Sequence, residues 1–121
     1  MPETQYKKLL SCTSEEKCDV AINLAKVGKP AYQYIVQSLV DENEWVRMFM
    51  AEALGAIGDD KAVQHLVPLL KDDDQMVRFI AAEALGNIGS KDAVASLEDV
   101  CRNDNCFVRV SAEEALEKIG N

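Results

Sequence analysis

The chain has 121 residues, 48% of them hydrophobic and 28% charged, which suits one folded domain and is too apolar for an intrinsically disordered segment. Thirteen basic side chains against 21 acidic ones leave a net charge of −8, which repels phosphate backbones and anionic lipid, so neither nucleic acid nor a membrane is an expected partner. Met1 to Tyr6 lack the pattern of a secretion signal, and no stretch reaches the ~18 apolar residues of a bilayer span, so the expected location is cytoplasmic.

In chain order, four helical hairpins are expected, at 2–28, 29–58, 59–89 and 90–120, within a single domain over 1–121. In the first, Thr13 and Glu16 form a capping box, and Ala21, Leu24, Val27 and Gly28 repeat Ala51, Leu54, Ile57 and Gly58 at an offset of 30 residues. The second opens with Tyr32, Ile35, Val36 and Leu39 on one helical face. It turns at Asp41-Glu42-Asn43 and closes on Val46, Met50, Ala53, Leu54 and Ile57, again one side of a 3.6-residue period. The third repeats this with Val63, Leu66, Val67 and Leu70, the turn Asp72-Asp73-Asp74, and Val77 to Gly89. The fourth uses Val94, Leu97, Val100 and Cys101, the turn Asn103-Asp104-Asn105, and Val108 to Gly120. Val46, Val77 and Val108 stand 31 residues apart, a period that marks a stacked array of hairpins, none of which can bury its apolar side alone. The expected fold is therefore all-α, a right-handed α–α superhelix.

The punctuation agrees. Gly28, Gly58, Gly89 and Gly120 are placed to end helices in left-handed C-caps. Asp59, Asp60 and Ser90 can cap the helices that follow, and Asn43, Asp74 and Asn105 those after the turns. Pro68 falls inside a first helix, removes a donor to the carbonyl of Gln64 and should bend the outer layer. Glu113 and Glu117 replace the small residues Ala51, Ala82, Gly55 and Gly86 of the earlier copies, which makes a further stacked hairpin costly and predicts that the array stops here. Cys12, Cys18, Cys101 and Cys106 have neither zinc-knuckle nor redox-dithiol spacing. Cys101 occupies the position of Leu39 and Leu70 and reads as a small buried apolar side chain, with a disulfide or a metal as the alternatives.

The string Val-Arg-x-x-x-Ala-Glu-Ala-Leu-Gly-x-Ile-Gly, preceded at residues 62 to 73 by Ala-Val-x-x-Leu-Val-Pro-Leu-Leu-Lys-Asp-Asp, resembles the HEAT-like repeats named after the phycobilisome lyases. The resemblance covers nearly the whole chain and implies a HEAT-like solenoid. It is far less specific for activity, because the family includes binding scaffolds, bilin lyase subunits and a metal-dependent deoxyhypusine hydroxylase. It further implies that second helices line a concave wall, and that Arg47, Arg78 and Arg109 are structural, pairing with turn acids. Asp41 and Asp72 are the candidate partners, with Asn103 a weaker substitute.

The chemistry of such relatives finds little support in these residues. The hydroxylase members carry His-Glu directly after Val-Arg, where iron can be held. This chain has Met48-Phe49, Phe79-Ile80 and Val110-Ser111, and its one histidine, His65, is assigned to an outer helix. Glu52, Glu83 and Glu114 repeat at the same period, but no nucleophile, histidine or glycine-rich phosphate loop accompanies them. They read as a solvated acidic row rather than acid/base catalysts. No catalytic residue, metal or cofactor is expected. A tetrapyrrole lying on an apolar wall, as in a bilin lyase subunit, is the enzymatic alternative.

A second apolar face suggests binding. Around Trp45 the helical period gathers Met48, Phe49 and Glu52, about 120° from the core-facing side. Met76, Phe79, Ile80 and Glu83 repeat this, followed by Phe107, Val110, Ser111 and Glu114. Packing between second helices, or cover by a second copy in a homodimer, would also account for the stripe. Left open, it would exceed the roughly 300–600 Å² of a typical monomer's largest apolar patch. A peptide or amphipathic helix with apolar anchors and basic residues would suit it, Trp45 being the foremost anchor. Glu15, Cys18, Asp19 and Ile22 make the first hairpin's corresponding face more polar, an expected end to the groove.

Overall fold

The structure, a computed structural model, describes residues 2–11 and 14–120, the side chains of 11, 14 and 15 excepted. It is all-helical, with no strand among the described residues. Among the described residues, eight α-helices form four hairpins: α1 (Pro2–Ser11) with α2 (Ser14–Val27), α3 (Tyr32–Gln37) with α4 (Glu44–Ile57), α5 (Val63–Leu66) with α6 (Gln75–Ile88), and α7 (Val94–Asn103) with α8 (Cys106–Gly120). Thr13 of the expected capping box and Cys12 lie outside the described residues.

Local chemistry sets the helix ends. Asn43 Oδ1 accepts from the Trp45 N–H at 2.8 Å, Asp74 Oδ1 from Met76 and Val77 at 2.8 and 3.2 Å, and Asn105 Oδ1 from Val108 at 2.9 Å. These carboxyl and amide oxygens satisfy donors that a helix start leaves without partners. Gly58 and Gly89, at φ 76° and 79° with ψ 17°, return their N–H groups to Leu54 and Leu85, each at 3.0 Å. Asp59 and Ser90 then cap the short 3-10 turns that start the next hairpins; Asp60 is the first residue of its turn rather than a cap. Two expected glycine caps differ. Gly28 has ψ −136°, outside the left-handed helical region, and α8 continues through Gly120. The left-handed turn at Gly58 and Gly89 redirects the chain into the following helix.

The first helices of hairpins two and three tighten into 3-10 geometry, over Ser38–Val40 and Val67–Lys71. In the third, Pro68 stands at the start of the 3-10 stretch and cannot donate; the expected bend takes the form of this tightened turn. Hairpin two tightens with no proline; there the Ser38 hydroxyl donates to the Tyr34 carbonyl at 2.9 Å, competing with the helical ladder. In hairpin four, α7 runs unbroken for 10 residues.

Packing follows the repeat. Leu9, Ile35, Leu66 and Leu97 from the first helices meet Leu24, Val46, Leu54, Val77, Leu85 and Val108 from the second, all fully buried; each contributes roughly 1.5–3 kcal/mol relative to exposure. The second helices α2, α4, α6 and α8 lie side by side. A Cβ on Gly55 would sit 2.8 Å from the Cα and Cβ of Ala84, and one on Gly86 2.7 and 2.8 Å from those of Ala115. Between the first helices, by contrast, open clefts of about 380 and 490 Å³ run past Val67 and Pro68 toward Ser96. Neighbours pressed together in one layer and parted in the other curve the stack toward the second helices.

A ladder of ion pairs fastens each hairpin to the next, and it corrects the expected arginine pairing. Arg47 grips Asp72 of the following hairpin, with Nε to Oδ2 at 2.8 Å and Nη2 to Oδ1 at 3.0 Å, while its Nη1 donates to the backbone carbonyl of Asp41 at 2.7 Å. Arg78 likewise takes Asp104, at 2.9 and 3.2 Å, and the carbonyl of Asp72 at 2.8 Å. The Asp41 carboxylate instead receives Lys17 Nζ at 3.1 Å, which puts Lys17 in the first hairpin at the position of the arginines. The guanidinium must bridge the gap between turns, so the turn of its own hairpin supplies only a carbonyl. Arg109 is exposed, and its side chain makes no hydrogen bond or ion pair among the described residues. Arg47 is held protonated chiefly by its hydrogen bonds to Asp72, against the cost of burial.

Cys101 is half-buried against the core rather than fully enclosed, and Cys106 is exposed. Burial, with a smaller contribution from Glu113, raises the Cys101 thiol above its ordinary value. Since the thiolate is the nucleophile, iodoacetamide at mildly alkaline pH is expected to alkylate Cys106 well before Cys101, read by peptide mass spectrometry. Equal rates would mean that Cys101 is more open than its packing implies.

Candidate interaction surface

The repeat resolves the second apolar face into columns, one residue per hairpin. Trp45, Met76 and Phe107 form the most open column, at 49%, 38% and 42% exposure. Beside it run Met48, Phe79 and Val110; the first two are half-buried and Val110 is exposed. The third column, Phe49, Ile80 and Ser111, turns toward the neighbouring helices. Phe49 and Ile80 pack against the core, and Ser111 is buried with its hydroxyl donating to the Phe79 carbonyl at 2.7 Å. Glu52 and Glu114 are exposed and Glu83 half-buried, and none of the three is ion-paired among the described residues.

The face is thus narrower than eight open side chains. The glycine-to-alanine contacts draw the second helices so close that one of its columns falls between them. Rings knit what remains. Trp45 and Phe49 lie 6.5 Å apart between centroids, and Phe79 stacks on Phe107 of α8 at 4.6 Å with 20° between planes, contacts of a kind worth about 0.5–1.5 kcal/mol beyond the area they bury. A recess of about 60 Å³ opens where α4 meets α6, bounded by Glu44, Trp45, Met48, Asp74 and Met76. This recess was not apparent from periodicity, because Asp74 read only as a helix cap and Glu44 carried no reading. At the outer side of α8 a wider cleft of about 580 Å³ is bounded by Val110, Leu116 and the carboxylates of Glu113, Glu114 and Glu117. On the first hairpin, Asp19 is exposed and Cys18 and Ile22 are half-buried.

The positions after each Val-Arg hold Met48-Phe49, Phe79-Ile80 and Val110-Ser111, and His65 is on α5. Among the described residues no group of three or more His, Cys, Asp or Glu side chains is arranged to hold a metal ion. No helix of the described residues is long and apolar enough to cross a membrane.

A family model described as HEAT repeats matches residues 7–75 and 33–117. Among solved structures, human deoxyhypusine hydroxylase in complex with glycerol superimposes with a TM-score of 0.82 at 24% identity, over 98% of this chain and 43% of that one. An engineered protein superimposes with a TM-score of 0.71 at 25% identity, over 98% of this chain and 62% of the other. The chain therefore spans less than two thirds of either protein, and at 24% identity the hydroxylase likeness is one of fold. No curated protein matches the sequence.

Proposed function

This chain belongs to the HEAT repeat family, and from that premise we propose that it is a non-catalytic binding module whose second-helix wall takes a peptide or amphipathic helix bearing apolar and basic side chains. The observation that carries the reading is the column Trp45, Met76 and Phe107. Three large apolar side chains stand in line on consecutive helices, each more than a third exposed, where the hairpin core has no use for them. Aromatic side chains, with adaptable methionine beside them, are common anchors for a helix laid in a groove. Glu52, Glu83 and Glu114 run alongside without internal cations and would orient basic residues and speed encounter. The net charge of −8 favours basic partners over nucleic acid or anionic lipid. The Val-Arg motif supports a finer kinship with the repeats named after phycobilisome lyases, and the cytoplasm is the proposed location.

The competing readings have less behind them. Two copies meeting wall to wall would set like-charged glutamate rows against each other, which costs free energy. A tetrapyrrole would need a pocket of about 300–1,000 Å³; the recess beside Trp45 holds only about 60 Å³, and the cleft of about 580 Å³ on α8 is lined by the carboxylates of Glu113, Glu114 and Glu117, which would repel the propionates of a bilin.

Selection of a random peptide library on the immobilised protein tests the proposal. Enriched peptides should combine apolar residues with lysine or arginine. The double substitution Trp45→Ser with Phe107→Ser should weaken their binding at least about 100-fold, as expected of paired hot spots of ~2 kcal/mol each, with helicity and melting nearly unchanged. Peptides that bind the double variant equally well would remove the wall from the site.

A further inference from the structure

The recess between α4 and α6 has walls and charges that select one kind of side chain. We infer that it is the seat for a lysine of the bound peptide, its methylenes against Trp45, Met48 and Met76 and its ammonium between Glu44 and Asp74. This deepens the reading of the wall as a peptide-binding face and rests on it.

Size comes first. About 60 Å³ is room for only a few water-sized groups, enough for the terminal methylene and ammonium of lysine. The compact ammonium suits so small a recess better than the broader planar guanidinium. Charge selects next. Arg47 lies close to both Glu44 and Asp74, but its own charge is matched by the bidentate Asp72. Two carboxylates are left. The N-termini of α4 and α6 contribute about half a positive charge each, so a net of about one negative charge remains at the recess. Glu44 has no ion-pair partner among the described residues, and Asp74 uses only Oδ1 for its helix cap, so Oδ2 makes no hydrogen bond among the described residues. Trp45 adds a third attraction: an ammonium against an indole at a half-exposed site binds about two- to five-fold tighter than a neutral isostere.

The chain's one tryptophan is in the recess, so its emission reports occupancy directly. The probe is n-butylammonium, compared with 1-butanol and n-butylguanidinium at constant ionic strength. The inference expects a saturable change in Trp45 emission with butylammonium, about five-fold or more tighter than with butanol and tighter than with butylguanidinium. Glu44→Gln combined with Asp74→Asn should erase the preference over butanol while circular dichroism stays unchanged, since asparagine caps a helix as well as aspartate. Equal response to butanol and butylammonium, no response to either, or a preference that survives the double substitution would overturn it. Library-selected peptides whose lysines are replaced by norleucine separate the two readings. Retained binding would sink the lysine seat and leave the wall standing, whereas loss of binding both to these peptides and to the Glu44→Gln, Asp74→Asn variant supports the seat.

Discussion

Replacing Asp72 by alanine is expected to destabilise the protein by about 3 kcal/mol, the lower end of the cost of breaking a buried ion pair by removing one partner. The Asp72 side chain is 8% exposed and that of Arg47 16%, so the guanidinium left behind has little water to replace two carboxylate bonds. The same carboxylate accepts from the Asp74 N–H at 2.9 Å, so the turn loses its own brace as well. Against a usual total of 5–15 kcal/mol, that is a large share of what holds hairpin two to hairpin three. Urea denaturation measures it. As a comparison, Asp99→Ala removes the partner of Lys71, an exposed pair at 2.7 Å with 75% of the lysine side chain open, and should leave the midpoint almost where it was. A loss under about 1 kcal/mol for Asp72→Ala would show that the inter-hairpin ladder is dispensable.

Gly86→Val should cost about 3 kcal/mol, near the upper end for inserting atoms into a packed contact. Glycine inside a helix is ordinarily a liability of ~0.5–1 kcal/mol relative to alanine, so at most positions Gly→Ala stabilises. Here even alanine should destabilise, because the new Cβ would meet backbone of Ala115 at 2.7 Å, and backbone cannot swing aside. The reversal of sign is the diagnostic, read in the same denaturation experiment. A function-related consequence follows. Forcing α6 and α8 apart would part the Phe79–Phe107 stack, so peptides selected on the wall should bind Gly86→Ala more weakly. A stabilised alanine variant would mean that the two helices sit farther apart than this contact requires.

Much of the fold was legible in the residues because repetition multiplies weak local signals. Asn43, Asp74 and Asn105 cap where their spacing put them, and Gly58 and Gly89 turn left-handed where a following helix needs a new direction. The arginine pairing was not legible. Asp41 and Asp72 each stand near an arginine in the chain, and proximity in sequence favoured the same-hairpin partner; the carboxylate that Arg47 holds comes from the next turn. Lys17 could have been recognised from its offset of 30 residues before Arg47. Ser111 was grouped with the outward stripe by helical angle alone, yet it is buried against α6.

The sequence by itself determined the all-helical repeat and the caps at Asn43, Asp74, Asn105, Gly58 and Gly89, since each follows from periodicity and side-chain chemistry acting over a few residues. Only the tertiary structure decided which bulky side chains remain open to solvent, which acid each cation grips, and that Glu44 and Asp74 flank one recess beside Trp45. Those outcomes depend on the distance between neighbouring second helices. That distance is set where a glycine of one meets an alanine of the next, and no single helix encodes it.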